Sequence, residues 1–112
     1  MNIVVNKLDG VTVMELPGRS LDAGSAPGFK TVTLNLLEPG AKLVIDMGHL
    51  DFVDSTALGA LVSCLRQAHS TAGEIKLCRL TKPVRSLFEL VRMHRVFDIF
   101  DTIEDARKSY AA

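Results

Sequence analysis

The sequence predicts an α/β fold: a mixed, mostly parallel sheet opened by an antiparallel hairpin and packed with about four helices. Three observations carry this expectation. Strand-like apolar runs alternate with segments of helical spacing after residue 20, the order that builds parallel sheets with crossover helices. Leu43-Val44-Ile45 is an unbroken apolar run, short enough for a strand buried on both faces. Asp9-Gly10 stands between two short apolar runs, where glycine permits the positive φ of a tight hairpin turn.

In chain order, Ile3–Val5 and Val11–Met14 are the hairpin strands, and Leu16-Pro17-Gly18-Arg19-Ser20 ends the second and turns the chain. After Leu21-Asp22-Ala23, helical spacing runs through Phe29, Val32, Thr33, Leu36 and Leu37 and stops at Glu38-Pro39-Gly40. The buried strand Leu43–Ile45 follows. Asp46-Met47-Gly48-His49 breaks it, and Phe52-Val53 returns to apolar.

From Ala57 the spacing is again helical, through Leu58, Leu61, Val62, Leu65 and Ala68, with Asp54 or Ser55 as N-cap. That places the Ser55 hydroxyl on the first turn, where free backbone N–H groups and the helix dipole favour an anion. The serine can be a plain cap or a hydroxyl that carries phosphate. Gly59, inside this helix, costs about 1 kcal/mol against alanine, so close packing on the sheet or on a partner is expected there, helix packing first.

His69-Ser70-Thr71-Ala72-Gly73 ends the helix, with Gly73 expected at the C-terminal cap. Ile75 to Leu80 alternates as a strand. Thr81-Lys82-Pro83 starts a helix whose apolar positions are Val84, Leu87, Phe88 and Val91, with Met93 a further candidate. Val96–Phe100 reads as a short last strand. Asp101-Thr102-Ile103-Glu104 reads as a capping box opening a helix to about Tyr110, which Ile103, Ala106 and Tyr110 would pack on the sheet.

The 112 residues suit one domain, residues 1–112, and 47% hydrophobic residues make it globular. Lys+Arg and Asp+Glu are both 13, so the formal net charge is zero, without the basic excess of a nucleic-acid binder. No apolar run nears the roughly 18 residues of a membrane span, and Met-Asn-Ile-Val-Val-Asn-Lys lacks signal-peptide features. Cys64 and Cys78 fit buried thiols in a reducing compartment. A cytoplasmic protein that engages neither nucleic acid nor membrane is expected.

No Walker loop or Gly-x-Gly-x-x-Gly is present, and His49, His69 and His94 lack metal-ligand spacing. Asp46, His49, Asp51 and Asp54 could hold a cation, but a solvated loop is the expected account. Ser55 with His49 lacks the Gly-x-Ser-x-Gly elbow of a hydrolase. Arg85, Arg92 and Arg95 read as a solvated face. The expectation is a non-enzyme with no metal and no cofactor.

Asp54-Ser55-Thr56-Ala57-Leu58-Gly59 resembles the phosphorylation motif of STAS domains, the anti-sigma factor antagonists of bacterial partner switching. The usual form is Asp-Ser-Ser/Thr-Gly-Leu-Gly. Val84-x-x-Leu87-Phe88-x-Leu90 through Val96-Phe97 also resembles the family, and the match spans nearly the whole chain. The resemblance implies a STAS-like single domain with Ser55 as phosphoacceptor and Thr56 as its back-up. It implies an interface of Asp22, Asp54, Ala57, Leu58 and Gly59 that faces a serine kinase acting also as an anti-sigma factor. A serine phosphatase would restore the hydroxyl.

Asp22 is implied to lie near Ser55, with helix capping as its plainer role. Asp54 can cap the helix or orient the Ser55 hydroxyl. Ala57 stands where the family most often has glycine, which bears on how closely a partner backbone approaches. Two other functions are weighed. Leu43–Met47 looks like the phosphoacceptor strand of a response-regulator receiver, with Asp46 as acceptor, although the expected acidic pair and lysine are missing. A constitutive STAS adaptor in a transport or scaffold complex is the other.

Overall fold

The computed structural model describes residues 1–111. Strand β1 (Val4–Leu8) turns through Asp9 and Gly10, at φ 53° and 80°, into β2 (Val11–Glu15). Both φ values are positive, as a two-residue hairpin turn requires, and Leu8 faces Val11 across it. The hairpin is antiparallel as expected.

Beyond it, β4 (Lys42–Asp46), β6 (Glu74–Cys78) and β7 (Asp98–Phe100) join β2 in parallel, in the order β1-β2-β4-β6-β7. Helices α1 (Ala26–Asn35), α2 (Ser55–Ser70) and α3 (Lys82–Leu90) share one core with Leu43, Ile45 and Leu77. Helix α4 (Ile103–Lys108) covers Val44 and Cys78 on the other face with Ala106, helped by Ile103 and Tyr110. Successive residues of β4 thus enter opposite cores, which is why its sequence shows no alternation.

Several boundaries differ from expectation. The segment from Leu16 to Ser20 does not merely turn the chain. Ser20–Leu21 forms a two-residue strand, β3, pairing in parallel with β5 (Phe52–Val53) as a second small sheet. Strands of two residues carry no readable period.

Helix α3 stops at Leu90 because Arg92 adopts a left-handed φ of 60°, so Val91 is exposed and Met93 enters a separate 3-10 turn, Met93–Arg95. The last strand shortens to Asp98–Phe100. The cap of α4 lies one residue later than expected: Thr102 Oγ1 accepts from the Asp105 N–H at 3.0 Å.

The end of α2 corrects the reading of Gly73. The Gly73 N–H reaches the Ala68 carbonyl at 2.7 Å and the Ala72 N–H reaches that of His69 at 3.2 Å, a Schellman motif. Its left-handed residue is Ala72, φ 61°, and not Gly73. Gly73 is needed for space, since a Cβ there would lie 3.0 Å from the Ala41 carbonyl oxygen. Ala72→Gly is therefore expected to stabilise the fold by about 0.5–1 kcal/mol, measured as a higher urea midpoint at unchanged slope.

Candidate functional site

The small β3–β5 sheet positions the site. Leu21 pairs with Val53, so Asp22 and Asp54 leave the strands side by side, and the Asp54 N–H donates to the Leu21 carbonyl at 3.2 Å. Asp54 caps α2. Its Oδ1 accepts from the Ala57 N–H and its Oδ2 from the Ala23 N–H, both at 2.9 Å. One carboxylate therefore binds the first turn of α2 to the loop before α1, and capping is the role its geometry shows.

Asp22 closes that loop. Its carboxylate accepts from the Gly24 N–H at 3.0 Å, the Ser25 N–H at 3.2 Å and the Ser20 hydroxyl at 3.2 Å. Chiefly the Ser25 N–H holds its pKa below the ordinary value, against a smaller opposing effect of desolvation. A carboxylate lowered in this way stabilises the fold at pH above its unfolded value and loses that contribution as pH falls through the folded one.

Ser55 is the first residue of α2 and is exposed, as is Thr56 beside it. Among the described residues, no side-chain hydrogen bond holds the Ser55 hydroxyl. Ser55, Leu58, Gly59, Val62 and Ser63 of α2 line a shallow groove together with Met93. Met93 joins the site because α3 ends early, a consequence of the Arg92 backbone with no signal in the apolar spacing.

Of the expected interface residues, Ala57 and Leu58 are buried in the main core, Leu58 keeping only a small edge on the groove, while Gly59 is exposed there. Ala57 is fully buried in the main core, so its methyl neither contacts a partner nor obstructs one. The alanine-for-glycine departure is spent inside the protein. Gly59 does not pack on the sheet: a Cβ there would meet nothing within 4 Å. Its helix cost has no internal reason, and Gly59→Ala is expected to raise stability by about 1 kcal/mol in a thermal melt.

The polar loop is not a cation cluster. His49 pairs with Glu15 at 2.9 Å, Asp51 with Arg19 at 2.6 Å, and Asp46 with Arg79 at 2.8 Å. No group of three metal-ligating side chains occurs among the described residues. Arg85 reaches Asp101 at 3.3 Å, while Arg92 and Arg95 are exposed. Cys64 and Cys78 are buried free thiols, pushed up to about 11 and about 12, chiefly by desolvation.

Asp46 is only 1% exposed and lies under the Arg79 guanidinium, which also stacks against Gly48. An acceptor carboxylate must be open to its phosphodonor. The sheet, moreover, begins with an antiparallel edge strand. Both observations overturn the receiver reading. Reasoning from sequence missed Arg79, though a carboxylate ending a buried apolar strand was a signal that some cation must meet it.

The model of the STAS domain family matches residues 2–106. The chain belongs to the STAS family. It is 27% identical over 99 residues to the anti-sigma-B factor antagonist of Bacillus subtilis, covering 88% of this chain and 90% of that one. An anti-sigma-factor antagonist (STAS) domain protein from Planctomyces limnophilus has the same fold, with a TM-score of 0.90 at 19% identity and 98% of each chain covered. The phosphorylated form of the Bacillus cell fate determinant SpoIIAA superposes with a TM-score of 0.72 at 19% identity, covering 97% of this STAS chain and 99% of that one. Among the described residues, the five-stranded mixed sheet with its antiparallel hairpin and the four α-helices are those expected from the sequence. Among the described residues no helix is long and apolar enough to cross a membrane.

Proposed function

We propose that this chain is a cytoplasmic anti-sigma factor antagonist whose binding to a serine kinase/anti-sigma factor is switched by phosphate on Ser55. The observation that carries the reading is the free, exposed Ser55 hydroxyl on the first turn of α2, at one end of the groove that Met93 completes. The relatives named as anti-sigma factor antagonists support the general role.

Unmodified, the face carrying Ser55 and Gly59, with the small exposed edge of Leu58, docks on the partner, with Asp22 and Asp54 at its edge. The kinase, holding ATP and magnesium, moves the γ-phosphoryl group onto the Ser55 oxygen and releases ADP and the hydroxyl proton. A serine phosphatase reverses this with water and releases inorganic phosphate. The chain itself supplies no catalytic group. Phosphate adds about −1.5 to −2 charge at neutral pH. The amino end of α2 accommodates that charge within the domain, so the fold is retained and the partner is repelled.

Incubation with the kinase, ATP and magnesium, followed by peptide mass spectrometry, tests the assignment. Acid-stable phosphate on Ser55 is the expected result. Phosphate on Thr56 alone would move the acceptor by one residue and overturn the assignment. Binding to the kinase without any phosphate on the Ser55 peptide would leave a constitutive adaptor.

A further inference from the structure

We propose that β1 is the docking edge for a second copy of this chain, forming a two-fold dimer whose sheet is continuous through paired β1 strands. All five residues of β1 are exposed, and three are large hydrophobics: Val4 at 50%, Val5 at 39% and Leu8 at 51%. The strand has no proline, and its pairing with β2 runs without interruption from Val4 to Leu8. Edge strands in monomers are commonly blunted by proline, bulges or inward charges. Here Lys7 is the only such device.

The free backbone groups follow from the hairpin. Leu8 and Val11 close a two-residue turn and form a hydrogen-bonded pair, so the N–H and C=O of Val5 and Lys7 point away from β2. Three symmetric antiparallel registers bring those outward groups together. Centring on Lys7 sets two ammonium groups against each other, which is unfavourable. Centring on Val5 leaves Leu8 beyond the paired segment. Centring on Asn6 pairs all five residues.

In that register Val5 exchanges both hydrogen bonds with Lys7 of the second copy, and the reverse. Val4 meets Leu8 at the closer, non-hydrogen-bonded positions, twice, on either side of an Asn6–Asn6 contact. No like charges are opposed. The surface is therefore complementary to itself, as an isologous two-fold contact demands.

A net charge of zero adds no repulsion between copies. The paired segment is one short strand, so the dimer is a weak, concentration-dependent one. Antiparallel pairing sends the carboxyl ends of the two parallel sheets in opposite directions, leaving both Ser55 faces open. The proposal does not rest on Ser55 being phosphorylated.

Sedimentation equilibrium from about 10 µM to 1 mM is expected to show a monomer–dimer equilibrium for the wild type, within the affinity range of small interfaces. Val5→Lys opposes Lys7 of the other copy twice and should weaken dimerisation about tenfold or more. Adding Lys7→Glu restores opposite charges at the same positions and should recover dimerisation, which a folding defect could not do. Asn6→Cys, on the two-fold axis, should form an intermolecular disulfide on mild oxidation far faster than Leu8→Cys, since Cys64 and Cys78 are buried. A wild type that stays monomeric to 1 mM would overturn the proposal. So would a dimer indifferent to Val5→Lys, or equal crosslinking at positions 6 and 8.

Discussion

Phosphorylated on Ser55, the protein is expected to bind its kinase/anti-sigma partner about 10²–10⁴-fold more weakly than the unmodified form, a loss of roughly two to four steps of 1.4 kcal/mol. Ser55→Asp, with one charge and fewer acceptor oxygens, should lose at least about tenfold by the same repulsion. Ser55→Ala should bind as the wild type does and resist release by ATP. The asymmetry comes from the surroundings of the residue. Asp54 precedes it in the chain and Asp22 leaves β3 alongside Asp54, with their oxygens already committed to the Gly24, Ser25, Ala57 and Ala23 amides. A dianion added there raises a negative field that the docked partner has to face with reduced access to water. Titration calorimetry on the three proteins, with circular dichroism to verify a common fold, measures this. Equal affinities for all three would remove phosphate as the switch.

Much of that site was legible because its logic is local. Asp54, directly after an apolar pair and at the head of a helical period, was one of two candidate caps for α2 with Ser55, and it is the one that caps it. Asp9-Gly10 announced the hairpin, and the uniform run Leu43–Ile45 announced a strand covered on both sides. The features that escaped depend on contacts distant in sequence, or on a backbone choice with no compositional mark. β3 and β5 are two residues each and exist only because they pair with one another. Ala72 takes the left-handed position although Gly73 follows it, because Gly73 is held against Ala41 and has no freedom to move along the chain. The sheet-packing reading of Gly59 fails for the opposite reason: a helical glycine suggests a near neighbour, and this one faces open space on the groove.

Arg79→Ala is expected to destabilise the protein by about 2–3 kcal/mol, and Arg79→Gly by about 1 kcal/mol less, reversing the usual order of alanine and glycine. Two observations combine in this. The Arg79 guanidinium is the partner of Asp46 Oδ2 at 2.8 Å, while the Gly48 N–H serves Oδ1 at 2.9 Å. Truncation leaves a carboxylate at the end of β4 with one of its two partners missing. Because Arg79 is itself partly exposed, water can reach the vacated position, which places the loss below that of a fully enclosed pair.

The second observation is the backbone. Arg79 sits at φ 62°, a conformation that costs an L-residue about 1–2 kcal/mol and costs glycine little. Arginine bears that strain because the turn aims its side chain across the end of β4, over Gly48. Alanine keeps the strain and loses the ion pair, whereas glycine loses the ion pair and the strain together. Urea unfolding of wild type, Arg79→Ala and Arg79→Gly at a shared slope decides the order. Alanine proving the more stable of the two would mean that the left-handed turn is not what Arg79 endures to hold Asp46, and that the clamp between β4 and β6 acts through packing alone.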